Sequence, residues 1–277
     1  DIVLLDGATG SNFRKAGMPV GVSTELWAME HPDVVRALQN GYVEAGSQIV
    51  YAPTFGANRL KLADYGRENE VEELNARLVD ISKKALAGTG ALIAGDFSTP
   101  GKMLQPKGDL SYEELLESYT EQVTAVANAG VDLLLAETML SVDETCVFMD
   151  AALSVCDLPI MCSLTLEADG SALFGGNAVE AVETLQEMGA SAVGLNCSVH
   201  EKSGKSTGYC KTECRPAENH ADRRGNLQHG CADVCKIYEH SGRRGCRHCR
   251  RLLRNDTGVY SSGERNAGCE KVNQRLQ

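Results

Sequence analysis

Through the first 199 positions, short unbroken apolar runs alternate with longer stretches in which apolar residues recur every three or four positions. The runs Ile2–Asp6, Gln48–Phe55, Leu92–Phe97, Leu133–Thr138, Pro159–Thr165 and Ala192–Ser198 have the content and turn-residue borders of buried parallel strands. The stretches between them read as helices. Gly46, Gly130 and Gly189 each stand between a helical stretch and the next strand, where a left-handed residue stops a helix. Pro32 sits at a first helical position. Ser111 with Glu114, Ser141 with Glu144 and Asn177 with Glu180 have the spacing of a capping residue followed by an acid three positions on. Leu115, Leu116, Tyr119, Val123 and Val126 keep to one face of the helix predicted between Ser111 and Gly130.

Six strands alternating with helices make an α/β chain, either a barrel or a doubly wound sheet. Polar residues gather where the strands end: Asp6, Thr54, Asp96, Glu137, Thr165, Asn196 and Cys197. A barrel brings every such end to one mouth, whereas a doubly wound sheet splits them across a crevice. Polar ends on every strand favour the (βα)8 TIM barrel, with six βα units present in residues 1–199 and two missing.

The pattern stops at about His200. Residues 1–199 carry 11 Lys and Arg against 29 Asp and Glu; residues 200–277 carry 16 against 9, with seven of the eleven cysteines and five of the six histidines. The tail holds only eight Leu, Ile, Val, Phe or Met in 78 residues, a composition that does not fold alone, so a disordered tail is expected. The acidic first part argues against nucleic acid or an anionic membrane as partner, and no apolar run is long enough to span a bilayer. No secretory signal is present, and the start at Asp1, inside a strand-like run, suggests a lost N-terminal piece. Cys146, Cys156, Cys162 and Cys197 lie in or beside apolar runs and read as reduced thiols of a cytoplasmic enzyme.

Each motif has two readings. Asp6-Gly7-Ala8-Thr9-Gly10 is a tight turn or a close backbone approach to a ligand, and it lacks the third glycine of a dinucleotide fingerprint. Pro53-Thr54-Phe55-Gly56-Ala57-Asn58 is a turn around a packed Phe or a contact with substrate. Asp96 and Glu137 could each cap a helix, but several carboxylates facing one mouth suit a cationic amine or catalysis. Cys197, after Asn196, is core filler or a metal ligand, with no partner at a recognisable spacing in the first 199 residues. In the tail, Cys210-x3-Cys214, Cys231-x3-Cys235 and Cys246-x-His248-Cys249 approach zinc-knuckle spacings amid basic residues, which would make a nucleic-acid-binding module. The gaps match no standard finger, and Tyr209, Tyr238 and Tyr260 are the only aromatic platforms. Another barrel enzyme, such as an aldolase or lyase, would want a Schiff-base Lys at a strand end, and the six ends have none.

Six strings together resemble the homocysteine S-methyltransferase family, above all the homocysteine-binding barrel of cobalamin-dependent methionine synthase. They are Leu5–Gly10, Glu44–Ser47, Thr54–Asn58, Gly95-Asp96, Glu137-Thr138 and Gly194–Ser198, in the family's order. The resemblance implies an eight-stranded βα barrel that moves a methyl group onto the homocysteine thiol to make methionine. It implies zinc held by Cys197 and by two adjacent cysteines of a Gly-Gly-Cys-Cys strand end. It implies a homocysteine pocket lined by Asp6, Gly7, Ala8, Thr9, Gly10, Thr54, Phe55, Asp96, Glu137 and Asn196. The relatives closest in pattern take the methyl from methylcobalamin, recharged by methyltetrahydrofolate on other domains; other members use S-methylmethionine or betaine.

No Gly-Gly-Cys-Cys occurs in this chain. The genetic code allows a test. Codons permitted for Thr207–Glu218, started one base later, can read P-V-I-A-K-P-N-A-G-L-P, and Gly245–Tyr260 at the same offset can read A-V-G-I-V-G-G-C-C-G-T-T-P-E-Y. The second holds the missing double cysteine. Two family motifs at one offset point to a one-base frameshift just after Val199, which would also explain the excess of Arg and Cys. With one of three zinc ligands left, the chain as written is expected to be inactive or prone to aggregate.

Overall fold

Parallel pairing in chain order organises the molecule. The computed structural model describes residues 3–198 and the backbone of residues 234–235. Strands β2 (Ile49–Tyr51), β3 (Leu92–Phe97), β4 (Leu133–Met139), β5 (Ile160–Leu164) and β6 (Ala192–Leu195) form one five-stranded parallel sheet in that order. Strand β1 (Val3–Leu4) stands beside β2 through a parallel bridge between Leu5 and Ile49. Six strands thus run in the order of a TIM barrel that does not close. On its other side β1 pairs antiparallel with a two-residue strand, β7 (Val234–Cys235), against the direction a barrel strand would take there. The rest of the expected disordered tail, and its knuckle-like cysteine pairs, lie outside the described residues.

Helices α1 (Gly10–Lys15), α2 (Thr24–Glu30), α3 (Pro32–Glu44), α4 (Arg59–Leu62), α5 (Val71–Ala85), α6 (Tyr112–Ala129), α7 (Val142–Val155) and α8 (Ala178–Glu187) supply the outer layer. Their ends follow the sequence signals. Pro32 opens α3, and Gly46, Gly130 and Gly189 take positive φ before the next strand. At α6 the capping box is complete: Ser111 Oγ accepts the Glu114 N–H, and Glu114 Oε2 accepts the Ser111 N–H at 3.0 Å. At α7 only half forms. Ser141 Oγ accepts the Glu144 N–H at 3.1 Å, but the Glu144 carboxyl turns inward and accepts the Tyr119 O–H at 3.1 Å.

Alternation along the strands separates two cores. Val50, Ile93, Leu134, Ala136, Ile160, Cys162 and Val193 face the helices. Leu5, Ile49, Tyr51, Ala94, Leu133, Leu135 and Met161 fill the barrel interior. A third cluster, with Phe13 and Trp27 at its centre, seats the first helices against α5.

Candidate active site

Continued two residues further, the interior parity carries Asp96, Glu137, Ser163 and Asn196 to the C-terminal ends of β3, β4, β5 and β6, the end at which barrel enzymes place their chemistry. Asp6 follows β1 and is 3% exposed; its Oδ2 accepts the Tyr51 N–H at 2.8 Å, which ties the end of β1 to β2.

The Gly7–Gly10 turn is backed by α3. Tyr42 Oη donates to the Ala8 carbonyl at 2.8 Å, and Asn12 Nδ2 donates to the same carbonyl at 2.6 Å and to Tyr42 Oη at 3.0 Å. A Cβ on Gly7 would lie 2.5 Å from the Tyr42 ring, so only glycine admits this packing. Thr9 immediately precedes α1, and Gly10 is its first residue.

Thr54 is fully buried and stitches two strand ends together. Its Oγ1 donates to the Asp96 carbonyl at 2.8 Å and accepts the Asp96 N–H at 3.0 Å. Gln122 of α6 donates to the Thr54 carbonyl at 2.7 Å. Phe55 lies half-buried beneath Lys61, whose Nζ is 5.3 Å from the ring centre. Next to it, Gly56 donates its N–H to Glu25 Oε1 at 2.7 Å, and a Cβ on Gly56 would stand 2.8 Å from that oxygen. The buried Glu25 of α2 also accepts the Ser23 O–H at 2.7 Å, so one carboxylate holds the whole Phe55–Gly56 turn.

The ends of β4, β5 and β6 meet on Asn196, which is 3% exposed. Its Nδ2 donates to Thr138 Oγ1 at 2.7 Å and reaches Glu137 Oε1 at 3.4 Å and Cys197 Sγ at 3.7 Å. Its Oδ1 accepts the Ser163 O–H at 3.1 Å. Cys197 is exposed, in contrast to Cys156 and Cys162. Beneath the β3 and β4 loops, burial pushes the Glu144 carboxyl up to about 7, against the hydrogen bonds from Thr99 and Tyr119 and the nearby charge of Lys61.

The sequence-derived site residues Asp6, Gly7, Ala8, Thr9, Gly10, Thr54, Phe55, Asp96, Glu137, Asn196 and Cys197 therefore all stand at strand ends or in the loops that follow them, at one end of the sheet. Tyr42, Glu25, Gln122, Ser163 and Glu144, which support them, carried no motif of their own; only Glu144 had a signal, and it read as a helix cap.

The homocysteine S-methyltransferase family model matches residues 3–219, most of the chain. The chain belongs to the homocysteine S-methyltransferase family. It is 25% identical over 213 residues to the methionine synthase of Mycobacterium tuberculosis, covering 71% of this chain and 18% of that protein. It is 28% identical over 202 residues to betaine–homocysteine S-methyltransferase 1 of Mus musculus, covering 71% of this chain and 48% of that protein. The chain thus spans less than half the length of these relatives. Among solved structures, the metallated form of the homocysteine methyltransferase MmuM from Escherichia coli matches at a TM-score of 0.62 and 25% identity, over 71% of this chain and 75% of that one.

Zinc, which the family resemblance implies, does not fit the described residues. No group of three or more His, Cys, Asp or Glu among them is disposed to hold a metal ion. A zinc site takes at least three protein ligands, and Cys197 is the one thiol at the mouth. Cys162 points away, its Sγ 3.7 Å from Met149 Sδ, and burial raises its pKa far out of reach of neutral pH. Cys146 sits on α7, and burial raises it to about 11. The tail cysteines lie outside the described residues.

Proposed function

We propose that the barrel mouth binds homocysteine, and that the protein with its reading frame restored moves a methyl group onto the homocysteine thiol to give methionine. The observation that carries this reading is the meeting of Asp6, Asp96, Glu137 and Cys197, from four different strand ends, at one mouth in a chain of this family. The carboxylates of Asp6 and Glu137 hold the substrate ammonium, and the Gly7–Gly10 turn, with Thr54, Phe55 and Asp96, closes around its backbone. Asn196 completes the group.

A free thiol titrates near 8.5, so homocysteine at neutral pH is a weak nucleophile, and a zinc bound by thiolates would supply it as thiolate. Such a centre needs two cysteines beyond Cys197. We assign them to the Gly-Gly-Cys-Cys that the tail codons can encode one base out of phase, and assign the tail itself to a frameshift after Val199. The methyl donor is methylcobalamin, recharged by methyltetrahydrofolate on other domains or chains. The protein works in the cytoplasm, where thiols stay reduced. Its excess of acid between residues 1 and 199 suits neither nucleic acid nor an anionic membrane, and no described helix is long and apolar enough to cross a bilayer.

Sequencing the gene across codons 190–277 and measuring zinc and homocysteine binding in both chains tests the proposal. The expected result is a restored base near codon 199, about one zinc per restored chain and zinc-dependent methionine formation. Bases that stand as translated, with zinc bound by the tail and salt-sensitive binding of nucleic acid, would replace it with the zinc-knuckle reading.

A further inference from the structure

Two non-glycine residues among the described ones have left-handed backbone: Thr138, at φ 59°, and Cys197, at φ 51°. Such a conformation is a genuine outlier for a β-branched residue, and it persists only where the surroundings over-determine it. Both lie at the mouth, at the ends of β4 and β6, which are not neighbours; β5 runs between them. The ladder between β4 and β5 also slips between Ala136 and Met139, a bulge that re-aims Glu137 and Thr138.

One side chain touches all of these irregularities. Asn196 Nδ2 crosses from β6 to Thr138 Oγ1 on β4, with Glu137 Oε1 and Cys197 Sγ at the rim of its reach. Its Oδ1 accepts from Ser163 Oγ on β5, and the same Ser163 Oγ accepts the Thr138 N–H at 3.3 Å. The Asn196 backbone is held as firmly: its N–H donates to the Leu164 carbonyl at 3.1 Å, and its own carbonyl accepts from Thr165 Oγ1 and Ser198 Oγ, each at 3.2 Å. Both amide atoms of this buried side chain are thus engaged with protein groups.

We propose that Asn196 is the positioning residue of the mouth, a brace from β6 across β5 to β4 that fixes the Glu137 carboxylate and the Cys197 thiol in one relation, so that a shift of either strand end is felt at the other. Its use in catalysis rests on the homocysteine reading; the brace itself is testable without substrate.

Hydrogen exchange of the whole chain, read by mass spectrometry, makes the test. Thr138→Val keeps the side-chain shape and removes the acceptor that Asn196 uses. The expected result is exchange at least about fivefold faster in residues 193–198 of β6 as well as in residues 134–141 of β4, with no further increase when the change is made on an Asn196→Ala background. Faster exchange on β4 alone, or the same increase with and without Asn196, overturns the proposal. If Thr138→Val instead loosens β2 and β3 as well, Asn196→Asp decides: it keeps the acceptor for Ser163 and lacks the donor for Thr138. It should release residues 134–141 while residues 160–166 stay protected; release of both segments, or of neither, overturns the brace. Homocysteine affinity, measured separately by calorimetry, judges the substrate reading: a wild-type chain that fails to bind it defeats that reading and leaves the exchange result standing.

Discussion

Glu144 is 2% exposed, and above neutral pH it must carry its charge where water does not reach. Replacing it with Gln keeps an oxygen to accept the Tyr119 O–H and removes the ionisation. In the unfolded chain the carboxyl titrates near 4.5, and in the folded chain burial moves it to about 7. Between those values the native state holds a proton that the unfolded state has released. The stabilising contribution of this group is therefore complete below pH 4.5 and is lost as pH rises through 7. At about 1.4 kcal/mol per pH step, the gap amounts to about 3 kcal/mol. Other carboxyls run the opposite way: hydrogen bonds from Arg67, Ser111 and Ser171 lower Glu70, Glu114 and Asp169, so the raw pH profile is a composite. The difference between Glu144→Gln and wild type isolates the one group. Urea unfolding at pH 5, 6, 7 and 8, followed by the fluorescence of Trp27, the single tryptophan, supplies it. The Gln variant should gain about 3 kcal/mol on wild type between the two ends of that range. A difference that stays flat to within about 0.5 kcal/mol refutes the idea that Glu144 folds with its proton on.

Gly7→Ala forces a methyl group into the Tyr42 ring and should cost about 2 kcal/mol in the same unfolding assay, with homocysteine affinity reduced in parallel; an unchanged midpoint would mean that the turn is not packed as described. Glu25→Ala strips the partner from the Gly56 N–H and should cost about 2 kcal/mol, whereas Glu25→Gln, which keeps one acceptor oxygen, should cost less than half as much; equal losses would show that the carboxylate is not what holds the turn. Alkylation of the native chain with iodoacetamide at pH 8, read peptide by peptide, should modify Cys197 at least about tenfold faster than Cys146, Cys156 or Cys162, since those three are partly or wholly buried; a Cys162 as reactive as Cys197 would contradict the packing of β5 on α7.

The strands were legible because an interior strand is apolar on both sides, and the helix ends because their signals are local. Leu92–Phe97 has the bounds read from the sequence, while the second strand shrinks from Gln48–Phe55 to Ile49–Tyr51. The cause is chemical: Pro53 has no N–H to give a ladder, and Thr54 turns its hydroxyl to Asp96 instead of extending the strand. The strand-end residues of the site were legible because position along a strand is itself the signal. Their supports were not. Tyr42 acts on Ala8 from 34 positions away, and Glu25 on Gly56 from 31, and helical periodicity says which face is buried without saying which polar side chain will reach across it. Glu144 shows the limit most plainly. It and Glu114 carry the same capping signal, but Glu114 lies in the open, where the Ser111 N–H is the nearest donor, and Glu144 is buried against α6, where the Tyr119 hydroxyl competes and wins.

The order of the strands also bears on how such a chain comes to exist at all. Each of β2 to β6 pairs with the strand made just before it, and β1 bridges to β2. During synthesis, which proceeds from the N-terminus, every strand emerges to find its neighbour already standing. Nothing in the first six waits on the seventh or eighth. A fold whose central strand came last would lose its whole sheet to a late error in the message; here the error removes the closing seam and leaves each earlier pairing intact.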